Sequence, residues 1–264
     1  MPPVPAAKLR VCAVSFLNTT PLVWGMLHGP QRGLFDLEFR VPAGCAAQVA
    51  SGAADIGIVP SIELIRQNLE IVPGAGIACR GAVRSILLIA KCPAEEVRTL
   101  AADSSSRTSV QLARVLLARK YGTAVDVVLH PPDLDAMLRI ADAALVIGDP
   151  ALRIDPARLP CRVYDLGAEW VEMTGLPMVF AVWAARRSVA TAQVAEAFRG
   201  SWQYGRAHMD EIVAVESASR GFPPEFVRTY LTRHIVHELG PREYEGMNLF
   251  LEYARGETAT CPAR

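Results

Sequence analysis

Short runs of apolar and β-branched residues alternate along the first part of the chain with segments whose apolar positions recur at helical spacing. Leu9 to Val14, Leu37 to Val41, Ile56 to Val59, Thr99 to Ala102, Val125 to Leu129 and Ala144 to Ile147 read as strands, each followed by a helical pattern. This alternation predicts a parallel α/β arrangement. From Val189 onward the pattern is nearly all helical, broken at Gly221-Phe222-Pro223-Pro224 and Gly240-Pro241, which predicts helices packed on a completed sheet.

Two more strands, Ser85 to Ala90 and Met178 to Ala184, are apolar throughout, as strands crossing between two lobes would be. In addition, Ala54-Asp55-Ile56-Gly57-Ile58-Val59-Pro60-Ser61 is echoed by the segment from Ala141-Asp142 to Gly148-Asp149-Pro150. In both, small and acidic residues precede a strand that ends in a proline turn. These features predict two lobes. Residues 1–90 with 185–264 form a discontinuous α/β lobe carrying the C-terminal helices, residues 91–184 form an inserted α/β lobe, and a ligand cleft lies between them.

Composition removes several partners. The 27 basic side chains balance 27 acidic ones, so no net field favours nucleic acid or an anionic membrane. The apolar runs fall well short of the roughly 20 residues that span a bilayer. The opening Met1-Pro-Pro-Val-Pro-Ala-Ala-Lys8 has no basic cluster followed by an apolar stretch, which predicts a cytoplasmic protein. Cys12, Cys45, Cys79, Cys92, Cys161 and Cys261 form no C-x-x-C pair and are expected as free, mostly buried thiols, without a metal site.

The sharpest local signal for chemistry is Asp103-Ser104-Ser105-Ser106-Arg107-Thr108-Ser109, which follows a strand and opens a helix read over Val110 to Tyr121, with Gly122 as its stop. Unpaired N–H groups and the positive dipole end of a helix start attract an anion, and hydroxyls and a guanidinium add donors. One cap needs one hydroxyl, whereas this run has five. No glycine-rich phosphate signature is present, so a carboxylate ligand is expected. Asn18, in Ser15-Phe16-Leu17-Asn18-Thr19-Thr20-Pro21, stands at the carboxyl end of the first strand, where open α/β sheets bind ligands. Its amide suits a hydroxyl or ether, and it equally suits capping the helix that begins near Pro21. Arg84-Ser85 and Gly148-Asp149-Pro150 also face the expected cleft, although strand-edge and cap roles account for Ser85 and Asp149 on residues alone. His234 and His237 read as part of a solvated helix face, and Trp170, Trp183 and Trp202 as core or cleft-wall aromatics.

The segments Ser15 to Leu22, Asp55 to Ser61, Arg84-Ser85, Ser105 to Ser109, Val146 to Pro150, Asp165 to Trp170 and Thr174 to Pro177 together resemble the menaquinone-biosynthesis enzymes of the futalosine route, the family that includes chorismate dehydratase. The resemblance implies a fold like that of type II periplasmic binding proteins. It also implies elimination of water from chorismate to give 3-enolpyruvylbenzoate, with no redox cofactor and no metal. Under it, Ser105, Ser106, Arg107, Thr108, Ser109 and Gly148 bind the substrate, while Asn18 and Ser85 orient the departing hydroxyl or the enolpyruvyl ether. Either Asp149 or the substrate's own side-chain carboxylate takes the proton, and the neutral character of the donors favours the substrate. Phe16 stands where a tyrosine would also fit. The alternatives are the sibling enzyme that makes dihydroxynaphthoate, a small-carboxylate solute-binding protein and a ligand-sensing module. The sequence assigns no oligomeric state.

Overall fold

The computed structural model describes residues 8–186 and 188–259; Cys261 and the opening Met1 to Ala7 lie outside them. The strands, in chain order, are β1 (Leu9–Val14), β2 (Phe35–Arg40), β3 (Ile56–Pro60), β4 (Glu70–Cys79), β5 (Ile86–Ala90), β6 (Thr99–Asp103), β7 (Asp126–His130), β8 (Ala143–Ile147), β9 (Arg162–Asp165), β10 (Met178–Ala185) and β11 (Val236–Glu238). The α-helices are α1 (Thr20–His28), α2 (Pro42–Ser51), α3 (Thr108–Arg119), α4 (Leu134–Ile140), α5 (Gly148–Leu152), α6 (Leu166–Thr174), α7 (Ala192–Ala207), α8 (Met209–Arg220), α9 (Pro224–Thr229) and α10 (Pro241–Ala259). Strands β3, β5 and β8 are buried at every position, as sheet interiors covered on both faces require.

Two sheets organise the chain, with strand orders β11-β4-β10-β3-β1-β2 and β7-β6-β8-β5-β9. They repeat one plan. In the first, β1 pairs in parallel with β2 and β3, and β10 runs antiparallel between β3 and β4. In the second, β6 pairs in parallel with β7 and β8, and β5 runs antiparallel between β8 and β9. The echoed segments therefore contribute β3 and β8, which hold equivalent places in the two sheets.

The sheets are mixed rather than all parallel, because a strand that has just crossed between lobes enters its sheet against the direction of its neighbours. The crossings also fall elsewhere than expected. Ile86–Ala90 belongs to the second sheet and Met178–Ala185 to the first, so the sheets divide near 80–85 and 175–177 instead of at 90/91 and 184/185. An apolar strand buried on both faces has the same sequence pattern in either lobe, which is why the boundaries slipped by one strand. Strands β4, β9 and β11 also went unread. Helices α7 to α10 follow β10, and α10 packs on β10 and reaches α3 of the second lobe. Trp170, Trp183 and Trp202 are buried core residues.

The first crossing is tightly bound. Arg84 holds a left-handed backbone, φ +66°, which is costly for a residue with a side chain. Asp165 offsets that cost by accepting from the backbone N–H groups of Val83 and Arg84 at 2.9 and 2.6 Å while capping α6 through those of Gly167 and Ala168 at 3.0 and 3.1 Å. The Arg84 guanidinium donates to the carbonyls of Ala151 and Ile154. Removing the carboxylate orphans four part-buried donors. Asp165→Ala should destabilise the protein by about 3 kcal/mol in chemical denaturation, and Asp165→Asn by less than half of that. A loss under about 1 kcal/mol for the alanine variant would show that the crossing is held by other means.

Candidate active site

The turn after β1 and the turn after β6 occupy equivalent positions in the two sheets, each joining the carboxyl end of a strand to a helix. The first carries Asn18 and Thr19, the second Ser106, Arg107, Thr108 and Ser109. All six line one cleft together with Ser85 and Gly148, over walls formed by Phe16, Ile58, Ile77, Ile147 and Phe180. The cleft holds about 510 Å³ of empty space, part of it open to solvent. Ligands of open α/β sheets bind at such strand ends.

Helix α3 starts two residues before the expected Val110, so Thr108 and Ser109 form its first turn. The N–H of Gln111 bonds back to the Arg107 carbonyl at 3.2 Å, and the N–H groups preceding it point out of the helix start. Among the described residues, the buried hydroxyls of Ser106 and Ser109 have no protein partner, which leaves them as donors to a ligand. Thr108 Oγ1 accepts from the N–H of Ile62 at 3.3 Å and lies 3.4 Å from Ser61 Oγ, so it also ties the helix start to the first lobe.

Ser105 does not join this set. Its N–H and hydroxyl both donate to Asp103 Oδ1, at 2.9 and 2.7 Å, and its carbonyl accepts from the N–H of Ala43. It shapes the loop and lies outside the cleft lining. Arg107 both lines the cleft and pairs at 3.0 Å with Glu63, a carboxylate of the first lobe that is 1% exposed and also accepts from Gln67.

Asp149 is likewise outside the lining. One carboxylate oxygen accepts from the N–H of Leu17 at 3.0 Å and the other from Arg220, which also donates to Glu216 and to the Ser15 carbonyl. With both oxygens engaged, Asp149 joins the second lobe to the turn that carries Asn18. Gly148 beside it needs to be glycine for two reasons. Its φ is +63°, and a Cβ there would stand 2.5 Å from the Phe16 ring.

The remaining contacts come from residues that drew no functional reading in the sequence. Tyr230, in a π-helical turn over Tyr230–His234, donates its hydroxyl to Ser85 Oγ at 2.9 Å. Burial raises its pKa, so it keeps its proton. His237 belongs to β11 and is buried, contrary to the solvated helix face expected for it. Its Nε2 donates to the Asn18 carbonyl at 2.8 Å, and its ring packs on Trp202. The apolar neighbours Ile235, Val236 and Leu239 were the available signal for that burial.

Two lobes of one topology, closing on a cleft at their strand ends, define the fold of the periplasmic binding proteins. A crystal structure of an Archaeoglobus fulgidus protein superposes with a TM-score of 0.75 at 19% identity, covering 97% of this chain and 100% of that one. The periplasmic aliphatic sulphonate binding protein SsuA of Escherichia coli superposes at 0.64 with 16% identity, covering 97% and 89%. Within this fold the chain belongs to the menaquinone-biosynthesis family, whose model matches residues 9–256. It is 28% identical over 236 residues to a chorismate dehydratase of Thermus thermophilus, covering 83% of this chain and 86% of the relative. It is 27% identical over 248 residues to one of Campylobacter jejuni, covering 90% and 94%. No helix among the described residues is long and apolar enough to cross a membrane.

Burial pushes the His237 pKa from 6.5 down to about 4. Between those values the unfolded chain binds a proton that the folded one refuses. Stability is therefore full above 6.5 and is lost as pH falls toward 4, at no more than about 1.4 kcal/mol per pH unit. His237→Gln keeps an N–H donor for Asn18 and does not titrate. From about pH 7.5 to about pH 5, the natural protein should lose about 2 kcal/mol more than this variant in urea melts. Equal losses would mean that His237 is protonated in the fold.

Proposed function

We propose that this chain eliminates water from chorismate to give 3-enolpyruvylbenzoate, the activity for which its two relatives are named. The observation that carries the proposal is the chemistry of the cleft lining. It presents hydroxyls, a side-chain amide and the first turn of α3, and Arg107 is the one ionisable side chain among the described residues that line it. Such a surface holds a carboxylate-bearing molecule by neutral donors and offers no protein carboxylate, imidazole or amine as a base.

Chorismate supplies what the lining lacks. Its ring carboxylate fits the start of α3, held by Ser106, Thr108, Ser109 and Arg107. Asn18 and Ser85 are then placed for the ring hydroxyl and the enolpyruvyl ether. The ring C–H that breaks belongs to the carbon bearing the ether, within reach of the enolpyruvyl carboxylate, which takes the proton. The electron pair of that bond completes the aromatic ring as the adjacent C–O bond breaks, and the hydroxyl departs with a proton as water. Charge that builds on the ring carboxylate during proton removal meets donors already in place, each worth about 3 kcal/mol in preorganised sites. The reaction is placed in the cytoplasm, a reducing setting that suits the buried free thiols Cys12 and Cys45, whose Sγ atoms lie 3.2 Å apart.

Purified, metal-free protein mixed with chorismate should form an aromatic product, followed by absorbance and identified by mass. Ser85→Ala and Asn18→Ala should each lower kcat about 100-fold while still binding product. Chorismate bound without turnover by the natural protein would move the reading to a solute-binding protein. Asp149→Asn keeps an acceptor for the Leu17 N–H and should retain kcat within about 10-fold of the natural protein. A collapse of rate with intact binding would return Asp149 to the role of base.

A further inference from the structure

We propose that Tyr230 is a positioning residue, whose hydroxyl fixes which way the Ser85 hydroxyl faces the substrate. The inference rests on the reading that Ser85 meets the departing hydroxyl or the enolpyruvyl ether.

Tyr230, Ser85 and Asn18 come from three distant parts of the chain. Asn18 lies in the turn after β1, Ser85 at the crossing into the second lobe, and Tyr230 in the segment that follows α9. Tyr230 is 1% exposed and does not line the cleft, so it acts only through the groups that it touches. A phenol has one proton to give. That proton goes to Ser85 Oγ at 2.9 Å.

Ser85, having accepted from Tyr230, must send its own proton elsewhere. The Val83 carbonyl lies 3.5 Å away, too far to hold it well. The Ser85 hydroxyl is therefore a donor poised for the cleft, the polarity needed to assist a departing hydroxyl. From the same C-terminal stretch, His237 holds the backbone of Asn18, another residue of the cleft lining.

The test is a double-mutant cycle on the full-length enzyme, reading kcat, KM, product affinity and thermal stability. Tyr230→Phe should fold, keep KM and product affinity within about 3-fold, and lose about 30-fold in kcat. In the Ser85→Ala background the same substitution should cost less than about 3-fold, because the hydroxyl it orients is already gone. An equal loss in both backgrounds would mean that Tyr230 acts structurally, and unchanged kcat for Tyr230→Phe beside a crippled Ser85→Ala would remove its role; either overturns the inference. Full activity of Ser85→Ala would instead overturn the site reading itself. If Tyr230→Phe does not fold, Tyr230→Met fills the space without a hydroxyl and is read in the same way.

Discussion

The site exists only where the two lobes meet, and the meeting is fixed by bonds made to the backbone. The N–H of Leu17 donates to Asp149, that of Ile62 to Thr108 and that of Ala43 to the carbonyl of Ser105. Each bond lies within a few residues of a group lining the cleft, so the separation between Asn18 and the start of α3 follows from short tethers instead of long side chains. The pair of Arg107 with buried Glu63 adds a charged contact that is costly to separate, since parting it strands a carboxylate away from water. Reactions that depend on held geometry lose rate steeply when reacting groups drift by even an ångström.

Within that frame the scarcity of charge in the lining fits the proposed reaction. A dianionic substrate entering a cleft that held a carboxylate base would meet repulsion strengthened by the low dielectric of the closed site. Neutral donors and a helix start avoid that penalty and still favour the anion. Asp149 and Glu63 show how the fold treats the carboxylates it does place nearby. Both are turned outward from the lining and saturated by partners, Asp149 by Leu17 and Arg220 and Glu63 by Arg107 and Gln67.

Much of this arrangement was legible in the sequence, for reasons that also explain what was not. The hydroxyl-rich entrance to α3 stands out because its density exceeds what capping needs, and the echo between β3 and β8 reflects two lobes of one plan. Neither signal carries orientation. Five hydroxyls in a row do not announce that Ser105 turns back onto Asp103 while Ser106 and Ser109 face the cleft. An apolar strand such as Ile86–Ala90 does not announce which sheet it joins or in which direction. Asp149 looked like a cap or a base because the sequence places Arg220 more than seventy residues away, and only the fold brings its guanidinium to the carboxylate.

Tyr230 and His237 mark the deeper limit. Their neighbours in sequence are those of any packed terminal segment, and what sets them apart is contact with Ser85 and Asn18 across most of the chain length. A two-lobed cleft with a helix start is sufficient to hold an anion. Directing a proton and a leaving group requires that each neutral donor face a set way, and a hydroxyl or amide at the cleft surface has no such preference of its own. The C-terminal segment imposes it from behind, through a buried phenol and a buried imidazole whose protons have fixed destinations. Under the proposed reading, the segment from Tyr230 to His237 is thus a part of the reacting geometry, and the plan shared by the two lobes accounts for binding but not for chemistry.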